Sequence, residues 1–157
     1  MTSTCDLCDA YGDAVRVLGL PLRDFGGRTA FAGTVSTIQA HEDNSRVCEA
    51  VAEPGGGRVL VIDGGGSLRR SMLGDQLAGT AVANRWCGVI VIGAVRDTVA
   101  LGVKALGSCP RKTDKRGEGR RDVALEIAGI TIKPGYWLCA DKDGVVIADT
   151  APPFAAS

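Results

Sequence analysis

Three observations on the sequence predict an α/β fold. Two short runs rich in β-branched residues, RVLVID (58–63) and GVIVIGAV (88–95), have the length and composition of buried strands. The stretch between them, SMLGDQLAGTAVANRWC, repeats Leu73, Leu77, Ala78, Ala81 and Val82 at helical spacing. Strand, helix and strand together make a parallel crossover, which is right-handed as a rule. The final stretch, VALEIAGITIKPGYWLCADKDGVVIAD, alternates and is punctuated by Ala-Gly, Pro-Gly and Asp-Gly pairs, the pattern of antiparallel strands.

Taken in order, the chain opens with helical spacing from Asp6 to about Val17. GRTAFAGTVSTIQ reads as a strand carrying Phe31, Val35 and Ile38. NSRVCEAVAE reads as a short helix, capped by Asn44 or Ser45 and stopped at Pro54. After the crossover, RDTVALGVKALG is expected to begin as a helix, and PRKTDKRGEGRRD is a polar, basic segment. No repeat or linker interrupts this order, so residues 1–157 are read as one domain, a length that supports a single core.

Composition removes several classes of function. The 18 basic and 18 acidic residues balance to a formal charge of zero, and aromatics make up 4%. Neither a charged face for duplexes nor stacking platforms for single strands is indicated, so no direct nucleic-acid partner is expected. The longest apolar stretch, CGVIVIGAV, is far shorter than the ~18 residues of a membrane helix. Asp6, Asp9 and Asp13 stand where a secretory signal would be basic and then apolar, so a cytoplasmic location away from membranes is expected. Cys5 and Cys8 form a C-x-x-C, but no second such pair or histidine pair completes a zinc site. They are read as small residues on an N-terminal helix.

GRVLVIDGGGSLRRSMLGDQLAG (57–79) offers two places for an anion. A dinucleotide fingerprint would need G-x-G-x-x-G, yet Gly64, Gly65 and Gly66 are consecutive and the third position falls on Arg69. The second strand also ends in GAVRD, without the acidic residue that holds a ribose. The alternative is Gly74, where a bend before the helix leaves backbone N–H groups open to a carboxylate or phosphate. Asp75 is followed, with twenty residues between, by Arg96 and Asp97, at the carboxyl end of an apolar strand, where open α/β sheets place their ligands. An ion pair from Arg96 to Asp75 or Asp97, tying the strand ends together, accounts for the same residues equally well.

With FGGRTAFAGTVSTIQ, EDNSRV, GRVLVIDGGGSLRRSMLGDQLA, NRWCGVIVIGAVRD, LGVKALGSCPRKT and KPGYWLCADKDGVVI in succession, the sequence resembles the family of the regulator of ribonuclease E activity A, from about Asp6 to Asp149. That family also contains the metal-dependent 4-hydroxy-4-methyl-2-oxoglutarate aldolases. The resemblance implies a swivelling β/β/α sandwich-type fold assembled as a ring-shaped homotrimer. It implies that the Gly74, Asp75, Gln76 and Leu77 backbone binds the pyruvyl carboxylate of a 2-keto acid. Arg96 would contact the substrate, and Asp97 would help hold Mg²⁺ or Mn²⁺. In this scheme a divalent cation acts as Lewis acid on the pyruvate enolate, Arg96 stabilises the charge on its oxygen, and Asp75 positions a water for proton transfer. The same enolate makes oxaloacetate decarboxylation the companion activity. The rival implication is a non-catalytic regulator that binds and inhibits ribonuclease E by protein contact.

The basic segment, with Arg111, Lys112, Lys115, Arg116, Arg120 and Arg121, is read as a solvated loop because Asp114 and Glu118 interrupt it. His41, the only histidine, is read as a surface or capping residue. Asp141, Asp143 and Gly144 are read as a hairpin turn, since the twelve-residue calcium pattern is absent. Trp86 and Trp137 are expected as packing anchors in the core or a subunit interface.

Overall fold

A computed structural model of the chain describes residues 1–98 and 100–153. Helix α1 (Thr4–Tyr11) is shorter than the spacing predicts, and a 3-10 turn, Gly12–Ala14, follows it. Gly12 ends the helix at φ 51°, and from Val15 the backbone is extended. Strands β1 (Arg16–Val17), β2 (Arg23–Asp24) and β3 (Phe31–Gln39) lead to helix α2 (Ser45–Ala52) and strand β4 (Val59–Asp63). Helix α3 (Asp75–Ala83) then crosses to β5 (Gly88–Val95) and β6 (Gly102–Ser108). The chain closes with β7 (Arg120–Arg121), β8 (Leu125–Ile127), β9 (Ile130–Ile132), β10 (Trp137–Asp141) and β11 (Gly144–Ala148). The expected helix after Val95 is not found: the segment turns back at once into β6, parallel to β5. Part of that expectation falls on Val99, outside the described residues. Val103 and Ala105 face one apolar layer on β6, a strand's alternation inside what reads as a helical run.

The main sheet runs β1-β11-β10-β3-β4-β5-β6-β2, with β7 on β3. β3 serves three partners: its first residues pair antiparallel with β10, Val35–Gln39 pair parallel with β4, and Ile38 and Gln39 also pair antiparallel with β7. β4 and β5 are parallel, as the crossover requires. Period-2 alternation distributes their side chains. Leu60, Ile62, Val89 and Val91 face α2 and α3, whereas Val59, Val61, Ile90 and Ile92 face Leu138, Val145 and the β8–β9 hairpin. Two β layers with helices on one side therefore enclose the core, and α1 lies on the outer face of β10 and β11 through Leu7, Val146 and Cys139. Trp137 joins that third cluster, and Trp86 is 3% exposed with its Nε1 donating to Glu53 O, so both tryptophans are packing anchors. Phe31 fits between β5 and β6 because they begin with Gly88 and Gly102, each placed where a Cβ would enter the Phe31 ring. Among the described residues, no helix is long and apolar enough to cross a membrane.

Candidate functional site

The carboxyl ends of β4 and β5 set the site, and the glycines after β4 settle what they are for. Gly64 N and Gly66 N both donate to Ile92 O at 3.0 Å, and Gly65 N donates to Asp63 Oδ1 at 2.9 Å. Every amide of the triple glycine is thus consumed inside the protein, leaving no cradle for a phosphate or a methyl donor. Gly65 and Gly66 sit at φ 68° and 78°, a conformation that favours glycine. They shape a turn.

Gly74 behaves differently. It caps α3 in an extended conformation, and no side chain satisfies the helix end from that position. Gln76 N is taken by Asp75 Oδ1 at 2.8 Å. The helix amino terminus faces a cleft of about 410 Å³, lined among others by Gly74, Asp75, Gln76, Leu77 and Arg96. Two backbone bonds dock the strand end on this loop: Arg96 N donates to Leu73 O at 2.9 Å, and Met72 N donates to Ala94 O at 2.8 Å. A Cβ on Gly74 would lie 3.5 Å from Arg96 Nε, so the guanidinium lies against the helix end. Amide dipoles and a fixed cation converge there, the arrangement that receives a carboxylate.

Neither ion pair that the sequence left open is formed. Arg96 Nη1 donates instead to Pro110 O at 2.8 Å, which holds the side chain while leaving its charge uncompensated among the described residues. Asp97 is exposed at φ 51°, a left-handed conformation that Asp tolerates better than most residues. It lines a second hollow of about 360 Å³ with Arg96, Ser108, Cys109 and Pro110. The structure therefore brings Gly74–Leu77 and Arg96 together in one cleft and sets Asp97 in the adjoining hollow, with Arg96 between.

The cleft also contains residues that the sequence did not single out as site residues: Asn44, Cys48 and Ser71, together with Lys112 and Lys115 of the basic segment. That segment is a solvated loop only in part. Arg116 pairs with Asp114 and Glu118, and Arg121 with Glu53, as surface ion pairs do. Lys112 and Lys115 instead face the cleft. The loop is held by Asp43, which is 0% exposed. Its Oδ1 accepts from Ser45 N and Oγ, and its Oδ2 from Arg116 N and Glu118 N. Burial opposes its ionisation, but these donors prevail and bring its pKa down to about 2. Asn44 is the N-cap of α2, as expected, but its side chain makes no capping bond, and the carboxylate of Asp43 accepts from Ser45 N in its place.

The remaining candidates have structural roles. Cys5 Sγ lies 3.5 Å from Asp143 Oδ2, and that hydrogen bond raises its pKa. Burial pushes Cys139 up to about 11. Neither thiol is poised as a thiolate. His41 Nε2 lies 3.0 Å from Glu42, which also holds Arg69. Asp141 accepts from Thr4 N and Oγ1 and from Asp143 N, fastening α1 to the hairpin.

The chain is a mixed α/β protein with a cleft at a helix end, and the model of the RraA-like family (aldolase/RraA) matches residues 4–147. The chain belongs to that family. A protein of Alkalilimnicola ehrlichii, provisionally named 4-hydroxy-4-methyl-2-oxoglutarate aldolase, is 55% identical over 150 residues, covering 92% of this chain and 93% of its own. A Laribacter hongkongensis protein under the same provisional name is 49% identical, covering 91% and 93%. Among solved structures, the RNA-processing inhibitor RraA of Thermus thermophilus superposes with a TM-score of 0.93 at 42% identity, covering 100% of this chain and 98% of that one. A Geobacillus kaustophilus protein described as an S-adenosylmethionine:2-dimethylmenaquinone methyltransferase gives 0.90 at 43% identity, covering 95% and 96%.

Proposed function

We propose that the protein is a lyase that cleaves 4-hydroxy-4-methyl-2-oxoglutarate into two molecules of pyruvate, using Mg²⁺ or Mn²⁺ and working as a ring-shaped homotrimer. The observation that carries this reading is the convergence of the open α3 amino terminus and the uncompensated Arg96 on one cleft. The family and the provisional aldolase names of its relatives support it.

The Gly74–Leu77 backbone and Arg96 would hold the 2-oxo carboxylate and orient the keto oxygen. Cleavage breaks the C3–C4 bond: the C4 hydroxyl would give its proton to a water at Asp75 and become the carbonyl of one pyruvate, while the electron pair moves toward C3 and the keto oxygen. Arg96, preorganised by Pro110, is placed to stabilise that oxygen. Asp75, exposed at the cleft, would direct the water that returns a proton to C3. Asp97 would be the chain's ligand to the ion, a carboxylate oxygen of the kind a hard cation prefers, and no group of three His, Cys, Asp or Glu among the described residues could hold one without further ligands. Water and substrate would fill the other positions. When bound, the ion supplies Lewis-acid polarisation of the keto oxygen. Loss of carbon dioxide from oxaloacetate would follow the same path.

Pyruvate release measured with Mg²⁺, with a chelator, and with Asp97→Asn tests the proposal. Turnover that needs both metal and Asp97 is expected; turnover equal to the protein-free blank in an assembled trimer would refute it. The second reading, a protein inhibitor of ribonuclease E, is favoured by the 42% identity to the Thermus RNA-processing inhibitor. Inhibition of ribonuclease E that survives both chelation and Asp97→Asn would support it.

A further inference from the structure

The charges of the molecule sort its thiols. Cys48 lines the cleft at the start of α3, and its backbone N donates to Asn44 O at 3.0 Å, one helical turn earlier on α2. Cys48 is half-buried, and its thiol forms no hydrogen bond among the described residues. Those of Cys5, Cys87 and Cys139 donate to Asp143, Ala32 O and Thr2 O. Arg96, Lys112 and Lys115 share the cleft with a single acidic side chain, Asp75, and neither lysine forms an ion pair among the described residues. On the same wall Asn44 is 7% exposed, and its side-chain amide has no hydrogen-bond partner among the described residues. Its Oδ1 is sealed from solvent while its Nδ2 is not, which leaves an NH₂ donor open to the cleft. A nearly buried amide left unpaired in a cleft wall marks a place where a ligand completes the bonding. Cys5 is the opposite case: it is exposed, but it stands beside Asp143, with Asp141 and Asp9 nearby. Cys109 lines the adjoining hollow, where Asp97 accompanies Arg96.

We propose that Cys48 is a site of reversible modification by an anionic low-molecular-weight disulfide, and that the adduct closes the cleft. In the exchange Cys48 Sγ attacks one sulfur of the reagent and a new S–S bond forms at Cys48. The reagent's own S–S bond breaks, and its departing half leaves with the electron pair as a thiolate, which takes up the proton that Cys48 gave to solvent. Cys48 is oxidised and the departing half is reduced. Arg96, Lys112 and Lys115 supply the selection: an anion gathers where cations are uncompensated, and a cation is turned away. A peptide carbonyl of the retained half meets the open NH₂ of Asn44. A peptide-sized adduct leaves little of a cleft of about 410 Å³ for a second acid. The closure rests on the reading of the α3 end and Arg96 as the holder of the 2-oxo carboxylate; the modification itself does not.

The probes are glutathione disulfide, which is anionic, and cystamine, which is cationic, each reacted with the reduced protein and mapped by peptide mass spectrometry. Because the two reagents differ in intrinsic reactivity, the quantity read is modification at Cys48 relative to Cys5 in the same molecule. That ratio should be about 10-fold or more higher with glutathione disulfide than with cystamine. The difference should shrink in high salt, and in Lys112→Gln/Lys115→Gln with folding checked by circular dichroism. Calorimetric titration of the Mg²⁺-loaded protein with pyruvate reads the closure. The glutathione adduct should lose binding, dithiothreitol should restore it, and Cys48→Ser should bind pyruvate with or without prior exposure to the disulfide. A ratio indifferent to reagent charge, modification confined to other thiols, or an unchanged pyruvate affinity in the adduct would overturn the proposal. The carboxylate reading fails separately: no pyruvate binding before modification, with charge-sorted modification of Cys48 intact, leaves the thiol site standing and removes the acid from the cleft.

Discussion

Replacing Asp43 by Asn tests how the basic loop is held, with almost no change in shape. Each carboxylate oxygen accepts two hydrogen bonds: Oδ1 from Ser45 N at 2.9 Å and Oγ at 2.6 Å, Oδ2 from Arg116 N at 2.8 Å and Glu118 N at 3.3 Å. An amide has one accepting end, so in either orientation its NH₂ meets a backbone N–H. The better orientation keeps oxygen toward Arg116 and Glu118 and lets the Ser45 hydroxyl reverse, leaving Ser45 N without an acceptor. One orphaned buried donor costs about 1–3 kcal/mol, and the surviving bonds lose their charge assistance, for a total of about 2–4 kcal/mol. In a protein of this size that is a fall in Tm of about 5–12 °C. Urea unfolding followed by circular dichroism should show a lower midpoint with an unchanged slope. The depressed pKa adds a signed expectation. Asp43 contributes stability above its ordinary value of 3.8, and this is lost as pH falls through about 2. The acid limb of the stability profile should therefore flatten between those values in Asp43→Asn. A loss below about 0.5 kcal/mol, within the range of an ordinary surface substitution, would show that Asp43 does not hold the loop.

Other substitutions probe the fold and the cleft. Gly88→Ala should destabilise by about 1–3 kcal/mol or more, because its methyl group would enter the Phe31 ring, and Phe31→Leu should partly relieve it; thermal denaturation of the double-mutant cycle reads the coupling. At Asp97, whose φ is 51°, Asn should keep the wild-type Tm while Val should lower it through about 1–3 kcal/mol of backbone strain, so Asn is the variant that isolates chemistry from folding. Arg96→Gln should reduce kcat/KM by at least about 100-fold, as loss of a preorganised charge-stabilising donor does, with little effect on Tm because the side chain is only half-buried.

The parallel crossover was legible because β4, α3 and β5 keep unmixed periodicities, and the antiparallel end because its Gly-containing turns separate short alternating runs. β6 was not: Leu101, Ala105 and Leu106 carry helical spacing, and the parallel pairing with β5 overrides it. The position of the candidate cleft was legible in outline, since an N–H-bearing bend at Gly74 and an Arg-Asp pair after a buried strand are local signals. Whether Arg96 paired with an acid was not, because its partner is Pro110 O, a carbonyl that no side-chain pattern reveals. Asn44 and Asp43 were hidden for a related reason. Their roles depend on bonds to Thr113, Arg116 and Glu118, about seventy residues away. The two cleft lysines were visible as charge, but only the anchored loop separates them from the solvated arginines beside them.

The most direct measurement is deuterium exchange into the pyruvate methyl group, followed by proton NMR in D₂O with Mg²⁺, because it isolates charge stabilisation next to a bound 2-oxo carboxylate from any choice of aldol substrate. Exchange well above the protein-free blank, abolished by a chelator and by Asp97→Asn or Arg96→Gln, is the predicted result. Exchange at the blank rate in a folded, assembled and metal-supplemented protein would contradict the account.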